Sequence, residues 1–245
     1  MSTCCDQRPT SPEGNPIEIR PIVPEELNRI PLQCWPEAPA IERLFSRQGT
    51  LGFAAWDGEV CVGQLHCYRF ELPECRVPDI HTGYLDTPEC WPLTCPLAAA
   101  ARALPGRRGP VWGHGCFHVG MKRGPDPAQG VLDARYQSRR MGTALCAASA
   151  RWAREHDYLA VVGQGAPPGE FQYALFFGIL PWTTYQRLGF RDGSFGEEGR
   201  RLLAWLEKED SWASDEVKAE IEAARAAGRP EDDLIGRMMV LELRR

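Results

Sequence analysis

Residues Tyr136–Glu155 read YQSRRMGTALCAASARWARE, and no other stretch constrains the fold as strongly. The first seven residues are mostly polar and basic and end in Gly142. From there Leu145, Ala148 and Trp152, with Met141 before them, recur at intervals of three and four, the period of one buried helix face. A basic, glycine-containing loop therefore opens straight into a helix. The first backbone N–H groups of a helix lack internal partners and lie at the positive end of its dipole, so this junction suits a phosphate. Between Gln137 and Arg154 there is no Asp or Glu to compete with such an anion.

The order of residues resembles the acyl-CoA binding motif of the GNAT N-acetyltransferase superfamily, an aromatic followed by [Q/R]-x-x-G-x-[G/A]. In one register Tyr136 is the aromatic, Gln137 opens the motif, Gly142 closes it, and Arg140 stands where the first glycine would be. In a second register Arg139, Gly142 and Ala144 fit the same spacing. A second stretch, PWTTYQRLGFRDG from Pro181 to Gly193, resembles the superfamily's short helix ending Y-x-x-x-G-F, with Tyr185 as the tyrosine and Gly189-Phe190 as the turn. The two motifs stand in the superfamily's order with a predicted strand between them.

The resemblance implies an acetyl group moved from acetyl-CoA, as co-substrate, to the primary amine of a small molecule or peptide by direct attack. It places Gln137, Ser138, Arg139, Arg140, Met141, Gly142, Thr143 and Ala144 around the cofactor's diphosphate, and backbone groups near Val119 and Met121 along its pantetheine arm. It makes Tyr185 the acid that protonates the departing thiolate; an unperturbed phenol, with a pKa of about 10, keeps its proton at neutral pH. A superfamily asparagine seven residues before that tyrosine is Gly178 here, leaving Gln164 as a substitute for its contact.

Composition limits the alternatives. At 245 residues and 43% hydrophobic the chain supports one packed core, and its net charge of −5 with no basic tract disfavours nucleic acid and anionic lipid as partners. The N-terminus lacks an apolar signal core and no run of about eighteen apolar residues occurs, so we expect a soluble, cytoplasmic protein. The ten cysteines, scattered through a long chain, read as reduced thiols. Cys75, Cys90 and Cys95 lack the paired spacing of a zinc site, and no metal is expected.

In chain order, residues 1–15 are polar and rich in Pro, Ser and Thr, which predicts a disordered tail before a single domain over 16–245. Ile17, Ile19 and Ile22 mark a strand, Pro24 opens one helix, and a second covers Ala40 to Gln48. Leu51–Trp56 and Glu59–Phe70 predict a hairpin turning at Asp57-Gly58, with Gly63 marking a bulge and His66 an ordinary strand side chain. Residues 72–110, with seven prolines, read as a long irregular insertion with one short helix near 97–104. Val111–Met121 is the next strand, and the two-residue period puts His114, Cys116 and His118 on one face. Either histidine could take the amine's proton; Glu170 is a further candidate base. Tyr158–Val162 is a strand and Phe171–Leu180 a helix stopped by Pro181. Residues 197–235 add a helical insertion, Glu197–Asp210 and Ser214–Gly228, that reads as a solvated face, with a homodimer surface as the alternative. Arg237–Leu243 closes the sheet.

The expected architecture is α/β: a GNAT-like mixed, mostly antiparallel sheet of about seven strands flanked by helices, with a long insertion between strands 3 and 4 and extra helices before the last strand. Two other readings remain at this point, a non-catalytic acyl-CoA-binding sensor and a cysteine-rich metal-binding regulator.

Overall fold

The computed structural model describes residues 9–31, 38–72, 103–126, 129–193, 196–211 and 213–243. The chain divides into two compact units, one of residues 1–67 and 117–152, the other of residues 68–116 and 153–245. The main sheet is mixed, mostly antiparallel and eight-stranded, with helices flanking it. This meets the expectation of about seven strands, although the two-residue ladders at 180–181 and 191–192 are too short to leave a periodic signal. Of the stretch 72–110, residues 73–102, with Cys75, Cys90 and Cys95, lie outside the described residues, and so do most of the expectations for it.

In the first unit β1 (Glu18–Pro21) pairs antiparallel with β2 (Gly52–Asp57), and β2 with β3 (Val60–Leu72) across the predicted turn. Gly58 has φ +56° there, a left-handed conformation that glycine adopts without strain. The register shifts where Ala55 and Trp56 face Gly63 and Cys61, so the bulge falls at Val62, next to the glycine. Gly63 answers instead to packing, since a Cβ there would meet Met141 Sδ at 2.6 Å. α1 (Ala38–Gln48) buries Ile41 and Leu44, and α2 (Met141–Glu155) buries Met141, Leu145, Cys146 and Ala153. Fully burying a leucine, isoleucine or methionine side chain contributes about 1.5–3 kcal/mol. Residues 9–16, all but the last within the stretch read as a tail, form a turn in which Ser11 N–H donates to Asn15 O at 2.8 Å and Ile17 N–H to Pro9 O at 2.9 Å.

β4 (Gly109–Val119) ends two residues earlier than its sequence pattern suggests. Gly120, at φ +82°, turns the chain, and Met121 starts a separate hairpin of β5 (Met121–Arg123) and β6 (Gly130–Leu132). The long connection before Tyr136 is thus a two-stranded ribbon.

In the second unit β4 lies beside β7 (Ala160–Ala166), which pairs antiparallel with β10 (Arg237–Glu242), itself bordered by β9 (Arg191–Asp192). α3 (Phe171–Phe177) ends at Gly178 in the left-handed conformation, φ +60°, with its N–H on Ala174 O and Leu175 O. Glycine takes that left-handed cap without strain. β8 (Leu180–Pro181) and α4 (Trp182–Arg187) follow. The helical insertion is α5 (Gly196–Leu206) and α6 (Asp215–Ala226), the latter capped by Ser214 as its sequence predicts. It is more than a solvated face. Leu202, Leu203, Leu206, Val217 and Ile221 pack around Tyr173, and Glu220 accepts from Gln172 N–H at 3.1 Å and Tyr173 N–H at 2.9 Å, capping α3 from outside.

Candidate active site

The site residues read from the sequence fall into two groups, one in each unit. In the first unit, Tyr136 ends a short 3-10 turn whose cap, Asp133, accepts from Arg135 N–H at 3.2 Å. Its ring is buried, its hydroxyl donates to Asp57 Oδ2 at 2.6 Å, and the Lys122 ammonium stands 4.7 Å from the ring centroid. Burial, with the Asp57 carboxylate as hydrogen-bond partner, pushes the phenol up to about 12. Tyr136 therefore anchors the basic loop to the β2–β3 turn.

Two residues of that loop, Ser138 and Arg140, hold φ +58° and +60°. The left-handed region costs a side-chain-bearing residue about 1–2 kcal/mol. Arg140, where the first motif glycine falls in the first register, thus holds a backbone conformation that glycine adopts without strain. Left-handed residues beside ordinary ones turn neighbouring N–H groups toward a common side, the geometry of backbone anion nests. α2 follows at once with no acid in its first turn, and the N–H of Ala144 is on Arg140 O at 3.0 Å. Gln137, Thr143 and Ala144 are half-buried, Ser138 and Arg140 exposed, Met141 and Gly142 buried. Arg139 is tied to backbone: Nε donates to Arg135 O at 2.6 Å and Nη1 to Ser11 O at 3.1 Å. Val119 sits half-buried at the end of β4, whereas Met121 belongs to the β5–β6 ribbon.

In the second unit β4 and β7 run parallel only from Val111↔Ala160 to Gly113↔Val162. Past that point β7 continues, and its residues Gly165 and Ala166 pair with β8 instead. At the parting stand His114 on β4 and Gly163 on β7. Tyr185, fully buried on α4, places its hydroxyl 3.5 Å from His114 Nδ1 and so close to Gly163 that a Cβ there would lie 2.5 Å from Oη. Phe190, in the turn after α4, packs 5.0 Å from the Tyr185 ring. Burial alone pushes His114 down to about 3, so its imidazole is neutral at physiological pH and can accept the phenol's hydrogen bond.

The histidines and Cys116 do not share one face. His66 and Tyr68 lie on one face of β3, by the two-residue period. His118 packs on His66, ring centroids 4.7 Å apart, while a Cβ on Gly113 would strike the Tyr68 ring. Residues 113 and 118 are an odd number apart, so the alternation of β4 breaks between them. His114 turns toward Tyr185 and His118 toward His66. His66, read as an ordinary strand residue, is buried against a candidate base, and nothing in the sequence announces that pairing. Glu170 is buried and ion-paired with Arg229, whose Nη2 also donates to Pro168 O at 3.0 Å, which argues against it as a free base. Gln164 is half-buried on β7. Among the described residues no three His, Cys, Asp or Glu side chains cluster as metal ligands, and no helix is long and apolar enough to cross a membrane.

No protein-family model matches the sequence, and no curated protein does. Solved structures do match. The fold aligns with mosquito arylalkylamine N-acetyltransferase like 5b at a TM-score of 0.51 and 13% identity, covering 92% of this chain and 99% of that one. Arylalkylamine N-acetyltransferase 7 of the yellow fever mosquito aligns at 0.49 and 9% identity, over 93% and 88% of the two chains. Drosophila melanogaster polyamine N-acetyltransferase aligns at 0.46 and 14% identity, over 92% and 99%. The first of these likenesses establishes the fold: the chain has the GNAT architecture that its two motifs resemble.

Proposed function

We propose that this chain is an N-acetyltransferase that moves an acetyl group from acetyl-CoA to the primary amine of a small molecule or peptide. The observation that carries the reading is the parting of β4 from β7 with the Tyr185 hydroxyl and His114 at the point of divergence. A GNAT fold, a loop with glycine-like backbone at Arg140, and an acid-free helix start support it from independent directions.

Acetyl-CoA supplies a thioester carbonyl that a neutral amine attacks, forming a C–N bond, breaking the C–S bond and leaving a thiolate and an amide. The residues fit what such a substrate needs. The α2 start and the Gln137–Ala144 loop offer backbone donors and positive charge to a diphosphate. The stretch of β4 beyond Gly113 offers an edge to an amide-bearing arm. Tyr185 gives its proton to the thiolate, and the neutral His114 orients the hydroxyl by accepting from it. A nitrogen held near 3 in pKa is a poor collector of protons at neutrality, which leaves His118, packed on His66, as the other candidate for taking the amine's proton. Positioning supplies the rest of the rate, and no covalent enzyme intermediate is required.

The test is turnover of acetyl-CoA, followed by thiol release, across arylalkylamines, polyamines, amino acids and peptide N-termini. At least one class should release CoA together with stoichiometric N-acetyl product. Tight acetyl-CoA binding with no turnover of any class would replace the enzyme by a sensor, and no binding would remove the reading.

A further inference from the structure

The turn formed by residues 9–16 touches the basic loop at two points. The carbonyl of Ser11, a fully buried residue, accepts from Arg139 Nη1 at 3.1 Å, and Glu13 lies 3.6 Å from Arg135. The turn is internally closed: Ser11 N–H donates to Asn15 O at 2.8 Å, Asn15 N–H to Ser11 Oγ at 3.1 Å, and Gly14 N–H to Ser11 O at 3.0 Å. Ser11 is thus presented as a fixed acceptor.

The two carbonyls on Arg139 hold the guanidinium without neutralising it. Among the described residues no carboxylate pairs with Arg139. The acids nearby are already engaged, Asp133 by Lys122 at 2.8 Å and by Arg135, and Glu13 by Arg135. Arg139 is therefore an oriented, uncompensated cation one residue from the left-handed Arg140 and two from the start of α2. Ordering a free arginine side chain costs rotamer entropy, and a cation ordered beforehand spares a ligand that cost.

We propose that residues 9–16 are a positioning element of the anion site, with the Ser11 carbonyl holding Arg139 where a diphosphate meets the N-terminus of α2. This rests on the reading of the loop as an acyl-CoA diphosphate site. It gives the N-terminal segment a role in ligand affinity rather than in folding.

The experiment compares the full chain with a chain lacking residues 1–14, each with Arg139 intact and as Arg139→Ala, by calorimetry with CoA, dephospho-CoA and pantetheine. Truncation should weaken CoA and dephospho-CoA, which share the diphosphate, by about three- to tenfold and leave pantetheine unchanged. In the Arg139→Ala background truncation should have no further effect, since the segment acts through that side chain. A uniform loss on all three probes, or an equal loss with Ala at 139, would mean a merely structural segment. Tighter CoA binding after truncation would mean the turn shields the cation. Either result overturns the proposal while the diphosphate reading stands. Failure of the full chain to bind CoA overturns the diphosphate reading itself.

Discussion

The Tyr185 hydroxyl stands 3.5 Å from Nδ1 of His114, with both side chains buried at the point where β4 leaves β7. At that length the bond is weak. Deleting the hydroxyl removes little stability and leaves the ring to pack on Phe190. We predict that Tyr185→Phe keeps a near-parental unfolding midpoint and acetyl-CoA affinity, while turnover falls by about a hundredfold, within the range of general acid catalysis. Steady-state kinetics beside a urea titration separates the roles: an equally fast variant would show that the hydroxyl has no chemical part.

His114 gives a prediction on stability against pH. Its folded pKa, about 3, lies below the ordinary 6.5 because burial excludes the charged form. The unfolded chain therefore binds a proton that the folded chain refuses between those values. Its contribution is complete above about pH 6.5 and is lost as pH falls toward 3. Between pH 6 and pH 4 the parent should lose about 1.4 kcal/mol per pH unit more than His114→Gln, measured by urea unfolding. Parallel curves for the two chains would mean that the imidazole is not buried neutral.

How much of this was legible in the sequence depends on the range of the interactions involved. The α2 junction, the β2–β3 hairpin and the Ser214 cap are set by neighbours within a few residues, and each appears where its pattern puts it. Arg140 was visible only as a departure from a motif, and its left-handed backbone was not; nor was the anchoring of the loop through Tyr136 to Asp57, seventy-nine residues away in sequence. The histidines show the limit most clearly. Their two-residue spacing predicts one face, and a break in the alternation of β4 sends His114 and His118 to different partners. Such a break has no local residue signature among glycines that could serve equally for close packing. Contacts such as Glu220 on the start of α3, or Ser11 on Arg139, join segments whose own sequences say nothing of each other.

The last prediction turns on Gly163. A Cβ built there lies 2.5 Å from Tyr185 Oη, 3.0 Å from Cζ and 3.1 Å from Cε1, against a ring with no exposed surface through which to retreat. Gly163→Ala should therefore destabilise the chain by about 1–3 kcal/mol, the cost of overpacking, and displace the hydroxyl that the proposed mechanism uses, lowering turnover with little change in acetyl-CoA affinity. The nearest clash is with the hydroxyl oxygen, so Tyr185→Phe should behave differently in the two backgrounds: nearly neutral for stability beside glycine, stabilising beside alanine, and unable to restore turnover in either. Urea unfolding of the four chains measures the coupling, as contacting residues are expected to depart from additivity by about 0.5–3 kcal/mol. Additive effects would mean that the Tyr185 hydroxyl does not sit over Gly163, and the geometry assigned to the parting of β4 and β7 would have to be abandoned.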